Sequence, residues 1–266
     1  LTLFLYPDDS NASGRLIRLA QEYFFVSAGI QSIIRYFKKL NHPWHVLSEK
    51  VAIHINDTHP ALCIPELMRI LMDEYEVSWE QAWDLTSKVM SYTNHTIMAE
   101  ALEKWPTYLM KRSLPRMYQI IKEIDRRYVV SMSGIHDAAL IERTRIIQGE
   151  EIHMANLAII GSHSTNGVAK LHSDLLKAVV LHDFYTIYPE RFNNKTNGIA
   201  QRRWLQLSNE PLSRVLDETI GQSWRHEPAD LKLLMNYQND PIVLEKLAKA
   251  KQQKKEELAK YIQETT

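Results

Sequence analysis

Little in this sequence offers covalent or electrostatic anchoring. One cysteine, Cys63, stands in 266 residues, which excludes an internal disulfide framework and a zinc–thiolate cluster and suits a reducing compartment. Neither charge is in excess: Lys and Arg number 32, Asp and Glu 32. A neutral chain gives nucleic acid or an anionic membrane no electrostatic footprint. No run of 18 apolar residues provides a transmembrane helix, and the first residues do not read as a signal peptide. What remains is ordinary globular composition, 45% hydrophobic and 24% charged, which rules out a disordered polymer or a coiled rod. Neutral or small-molecule partners are the expectation.

The two ends read as cut. Position 1 is Leu, and the apolar run 1–6 resembles an element entered part-way, followed by a turn at Pro7-Asp8-Asp9-Ser10-Asn11. Residues 244–261 are rich in Lys, Glu and Gln with sparse apolar positions, a helix that needs something to pack on. A truncated or processed chain is therefore expected.

Between the ends the pattern is helical with a few buried strands. Tyr23, Val26, Ile30, Ile33 and Phe37 recur in steps of three and four, predicting an amphipathic helix. The β-branched run 51–55 predicts a strand. Asn56-Asp57-Thr58-His59-Pro60 then leads into a helix through Leu67 and Leu71, with Asp57 or Thr58 as its cap. Ser78 and Gln81 have capping-box spacing before the helix carrying Trp79, Trp83 and Val89. Leu109 through Tyr128 forms another helical face, 134–151 a polar loop with a short helix, and 153–160 a second buried strand. A helix is expected over about 166–180 and a long polar turn over 192–198. Strands that end in polar loops entering helices make this a helix-rich α/β chain.

Three polar segments sit where an α/β sheet places ligands, beyond the carboxyl ends of its strands. Asn56-Asp57-Thr58-His59 offers a carboxylate and an imidazole, though helix capping explains Asp and Thr equally well. Tyr92-Thr93-Asn94-His95-Thr96 is more polar than a turn needs, as a sugar site would be, yet a lone histidine is more often structural. Gly161-Ser162-His163-Ser164-Thr165-Asn166-Gly167 is neither GxGxxG nor a P-loop, so nucleotide binding has little support. No HExxH or GxSxG exists, which leaves metal and serine-nucleophile chemistry without a pattern.

Taken in order, several motifs resemble the glycogen/starch/maltodextrin phosphorylase family. They are Asn56-Asp57-Thr58-His59-Pro60, Ile64-Pro65-Glu66-Leu67-Met68-Arg69, Tyr92-Thr93-Asn94-His95-Thr96, Glu100-Ala101-Leu102-Glu103-Lys104-Trp105-Pro106, Leu114-Pro115-Arg116, Gly161-Ser162-His163 and Asn194-Lys195-Thr196-Asn197-Gly198. The resemblance covers nearly the whole chain. It implies part of the N-terminal Rossmann-like lobe of a GT-B glycosyltransferase fold, with a helix at 244–263 near the interlobe linker. It further implies a cytoplasmic, homodimeric α-1,4-glucan phosphorylase that converts glucan and inorganic phosphate to α-glucose 1-phosphate with retention, using pyridoxal phosphate.

By the same resemblance, His95 matches the histidine at the glucosyl subsite, and Asp57, His59 and Asn94 match residues of the substrate side. Asp9 matches the acidic position of a mobile gate loop. The segment 114–128 matches a secondary glucan-storage region of some members. The chain departs from the family pattern at Ser10, where Asn is frequent, and at Ala99 and Ala200-Gln201, where prolines are usual. Each lost proline loosens its turn by about 0.5–1 kcal/mol through the unfolded state. No Gly-Thr-Gly-Asn-Met-Lys-like segment is present, so the Schiff-base lysine is expected elsewhere and this chain is expected to be silent alone. The alternative is a non-catalytic glucan-binding or scaffold module built on the same fold.

Overall fold

A computed structural model describes residues 1, 3, 6–8, 10–98 and 102–265. The chain divides into two compact units, 1–196 and 197–266. In the first, helix α1 (Ala12–Lys39) starts at Asn11, whose side chain accepts the Gly14 N–H at 2.9 Å. Its buried stripe is Leu19, Val26, Ile30, Ile34 and Phe37, the periodicity read from the sequence with Ile34 in place of Ile33 and with Tyr23 only half-buried. A short helix α2 (Leu47–Lys50) leads to strand β1 (Ile53–Asn56). Helix α3 (Cys63–Arg69) is buried almost throughout, and α4 (Trp79–Val89) begins where Ser78 Oγ accepts the Gln81 N–H at 3.3 Å.

Strand β2 (Met90–Thr93) follows α4 directly. Then come β3 (Lys104–Pro106), α5 (Thr107–Ser113), α6 (Pro115–Met132) and α7 (Ala138–Thr144). The single helical face expected over 109–128 is two helices. Pro115 opens the second, having no N–H to leave unpaired there. Strands β4 (Ile147–Gln148) and β5 (Glu151–His153) precede helix α8 (Met154–Ile160). The strand expected over 153–160 is thus mostly helix. All seven residues of α8 are buried, so no polar stripe marks its period, and a short apolar run is ambiguous by pattern alone.

Strand β6 (Thr165–Gly167), α9 (Lys170–Leu175), α10 (His182–Ile187) and β7 (Phe192–Asn194) complete the first unit. A strand, and not a helix, therefore occupies 165–167, and part of the polar turn at 192–198 is also strand. Strands β1, β2, β6 and β7 form one parallel sheet in that order, and β3, β5 and β4 a small antiparallel one. A continuous core runs from Leu19 and Ile34 through Leu67, Met68, Leu71, Tyr92, Ile121 and Leu157 to Phe192.

Inside that core Glu66 of α3 is fully buried and accepts from Tyr23 Oη (3.2 Å), Ser27 Oγ (2.7 Å) and both Nε and Nη2 of Arg69 (2.9 Å each). It ties α1 to α3 through polar contacts within an apolar interior. At the end of α8, a Cβ on Gly161 would lie 2.6 Å from Ile64 Cδ1, so glycine there allows helix and core to touch.

In the second unit α11 (Glu210–Ile220) packs on α12 (Pro241–Thr265). Asn209 caps α11, and Gly221 ends it at φ 79°. Trp224 is buried, with its indole N–H donated to Asp217 Oδ1 at 3.2 Å. Helix α12 buries only Val243 and Ala250, as its sparse apolar spacing predicts. Among the described residues no helix is long and apolar enough to cross a membrane.

Candidate functional site

The parallel sheet gathers four polar turns at the carboxyl ends of β1, β2, β6 and β7. Register pairs Asn56 with Thr93, Thr93 with Asn166, and Gly167 with Asn194. The backbone continues this alignment past the strands. Asp57 N–H donates to Thr93 O at 3.0 Å, Asn94 N–H to Asn166 O at 2.9 Å, and Lys195 N–H to Gly167 O at 3.1 Å. Parallel pairing alone thus brings together residues far apart in sequence.

His95 lies two residues beyond β2, exposed, with Nε2 2.6 Å from Asn56 Oδ1. Asn94 points inward. It is fully buried, its amide donates to Tyr92 Oη at 3.1 Å, and its Oδ1 accepts the Thr96 N–H at 3.0 Å. Burial pushes the Tyr92 phenol above its ordinary range. The turn that presents His95 is therefore clamped from within by its own neighbour.

Asp57 does not cap a helix, since α3 begins only at Cys63 and has no side-chain cap. It adopts φ 65°, and its Oδ1 accepts the following Thr58 N–H at 2.6 Å. The short polar side chain compensates a left-handed backbone that most residues avoid. His59 is exposed and lines a cleft of about 250 Å³ with Tyr6, Arg18, Glu22, Phe25 and Pro60. Asp9 lies outside the described residues.

The sheet also recruits two histidines that the sequence reading did not single out, His54 and His172. Thr93 Oγ1 donates to Asn166 Oδ1 at 2.8 Å, so it is free to accept from His54 Nε2. His172 accepts the Val168 N–H on Nδ1 at 3.0 Å and therefore donates from Nε2 toward Thr96 O at 3.4 Å. That imidazole fastens the turn after β6 to the turn carrying His95. Period-two placement with Asn56 on one face of β1 is the available signal for His54. Nothing local marks His172, whose role depends on where α9 lands.

Gly167 is the tight point. A Cβ there would meet Ser173 Oγ at 2.6 Å and His172 Nδ1 and Ser173 Cα at 3.0 Å. Gly167→Ala is expected to cost about 1–3 kcal/mol by overpacking, read as a lower urea midpoint at unchanged slope, and to loosen the His172 contacts.

Chemically the turns offer an exposed imidazole, a carboxylate and several carboxamides fixed by backbone pairing, a set that suits a neutral polyhydroxylated ligand. None of the chain's lysines is buried, whereas a Schiff-base lysine is desolvated to lower its pKa. Among the described residues there is thus no buried lysine of that kind.

A family model described as carbohydrate phosphorylase matches residues 1–266. Over 261 residues the chain is 50% identical to a glycogen phosphorylase of Bacillus subtilis (strain 168), covering 97% of this chain and 33% of that protein. It is 46% identical over 263 residues to one from Pasteurella multocida, with 97% and 32% covered. To the muscle form of Mus musculus it is 43% identical over 272 residues, again covering 97% and 32%. The chain spans about a third of the length of these curated relatives.

Proposed function

The chain belongs to the carbohydrate phosphorylase family, and on that premise we propose that its 266 residues supply the sugar side of an α-1,4-glucan phosphorylase site. The observation that carries this reading is the convergence of Asn56, Asp57 and His95 at the paired ends of β1 and β2. In the proposed enzyme, glucan and inorganic phosphate yield α-glucose 1-phosphate with retention. His95 contacts the glucosyl unit, Asp57 and His59 line its approach, and Asn94 sets the turn from behind. Asp9 belongs to a gate loop. The first unit corresponds to part of the N-terminal lobe of a GT-B fold, and α12 to the approach to the interlobe linker.

The reaction develops oxocarbenium character at the sugar, and fixed dipoles aimed there lower its barrier. In the whole enzyme a bound pyridoxal phosphate would be held by residues outside these 266 and would supply its phosphate group for proton transfer. The reading places the enzyme in the cytoplasm as a homodimer. A reducing compartment is in keeping with Cys63, a buried thiol that burial pushes up to about 12.

Two measurements test the proposal. With maltoheptaose, phosphate and pyridoxal phosphate, the purified chain is expected to form no glucose 1-phosphate; product would overturn the assignment of the cofactor lysine to other residues. Maltoheptaose is also expected to shift the His95 ring resonances, and His95→Asn to abolish saturation transfer to the sugar. If sugar binds with no effect at His95, the non-catalytic glucan-binding reading takes over.

A further inference from the structure

We infer that Asn56 is a positioning residue for His95, whose imidazole proton it fixes on Nε2 so that Nδ1 is left as a lone-pair acceptor. The inference rests on the reading that puts His95 at the sugar, and it concerns how that ring is made ready.

Both residues hang from paired backbone. Asn56 is the last residue of β1, in register with Thr93, and the Asp57 N–H to Thr93 O bond closes the ladder just beyond it. On the other side Asn94 is bonded by its N–H to Asn166 O and by its Oδ1 to the Thr96 N–H. His95 is thus bracketed by fixed neighbours, and only its side-chain torsions remain free. The 2.6 Å contact between Asn56 Oδ1 and His95 Nε2 removes that freedom.

A carboxamide oxygen only accepts, so the facing nitrogen must donate. A neutral imidazole has one N–H, and its other nitrogen must then accept. The opposite orientation of the Asn56 amide would demand the opposite tautomer, so the proton position is a direct test. An acceptor at Nδ1 selects a ligand hydroxyl that donates, while a ring held before binding spares the ligand the entropy of ordering it. Both side chains are exposed, so without this bond water would occupy Nε2 and the ring would turn.

The test uses the ¹⁵N-labelled 266-residue chain at about pH 8.5, where a free imidazole is neutral. Long-range ¹H–¹⁵N spectra are expected to give a protonated Nε2, an unprotonated Nδ1 and an observable Nε2–H. Asn56→Asp keeps an acceptor of the same size and is expected to preserve all three. Asn56→Ala is expected to speed exchange of the Nε2–H with water about tenfold, the worth of one hydrogen bond. Asn56→Leu, similar in volume, replaces it if alanine perturbs the backbone spectrum. A proton on Nδ1 in the wild type, or an unchanged Nε2–H in both apolar variants, overturns the inference. Adding maltoheptaose is a separate arm: no response at His95 defeats the sugar-site reading and leaves the tautomer result standing.

Discussion

Glu66→Ala lowers the stability of the first unit by about 3–5 kcal/mol, the cost of breaking a buried charge pair by removing one partner. Glu66 is fully buried and holds four donors from three side chains. Its removal strands Arg69, whose side chain is only 19% exposed, and leaves Tyr23 and Ser27 without their acceptor inside the α1–α3 contact. Arg69 keeps a second partner, Glu74 at 2.9 Å, but that carboxylate is 45% exposed and screened by water. Glu74→Ala is accordingly expected to cost well under 1 kcal/mol. Urea unfolding at pH 7 checks both, and hydrogen exchange should place the loosening in α1 and α3. A loss below 1 kcal/mol for Glu66→Ala would show that the network is no more than a surface ion pair.

Stability of the same unit is expected to fall as pH rises from 6 to 8.5, by about 3.5 kcal/mol at most, or about 1.4 kcal/mol per pH unit for one proton. The group responsible is Glu22 on α1. Burial first, and then the neighbouring Glu103 carboxylate, hold the Glu22 carboxyl protonated far above the ordinary carboxylate range; Arg18, 3.0 Å away, opposes them. The folded state therefore binds a proton that the unfolded chain has released. The stabilisation is fully present below about pH 4.5 and is lost as pH climbs toward the folded value of Glu22. Glu22→Gln, which keeps the neutral shape, should flatten the slope. Glu123 works in the opposite sense. Hydrogen bonds from Arg126 and Arg127 bring it down to about 2, so its small, exposed contribution is lost in acid. Thermal unfolding across this range checks the sign, and a flat or rising profile for the wild type would refute the assignment.

Much of the arrangement is legible from residues in order. The apolar steps along α1, the cap at Ser78 and the exposed spacing of α12 are local properties, since a helix written every three or four residues needs no partner to be recognised. The Asn-Asp-Thr-His and Tyr-Thr-Asn-His-Thr segments likewise announce polar turns at strand ends, and together with the later motifs they mark the family.

What escapes such a reading is whatever depends on neighbours distant along the chain. Met154–Ile160 is equally apolar as helix or strand, and only enclosure on every side makes it a buried helix. Thr165–Gly167 and Phe192–Asn194 are three-residue strands whose conformation comes from pairing with β2 and with each other, because the Asn and Gly that make up most of them favour turns. The polarity of Asn94 turns inward for the same reason, to satisfy Tyr92 and Thr96 in a buried turn. Composition and periodicity were enough for the class of fold, the zero net charge and the place of the polar turns. Which asparagine faces His95, which way Asp57 bends and where His172 fastens belong to strand register and packing, since hydrogen bonds between remote residues exist only once the sheet has brought their backbones together.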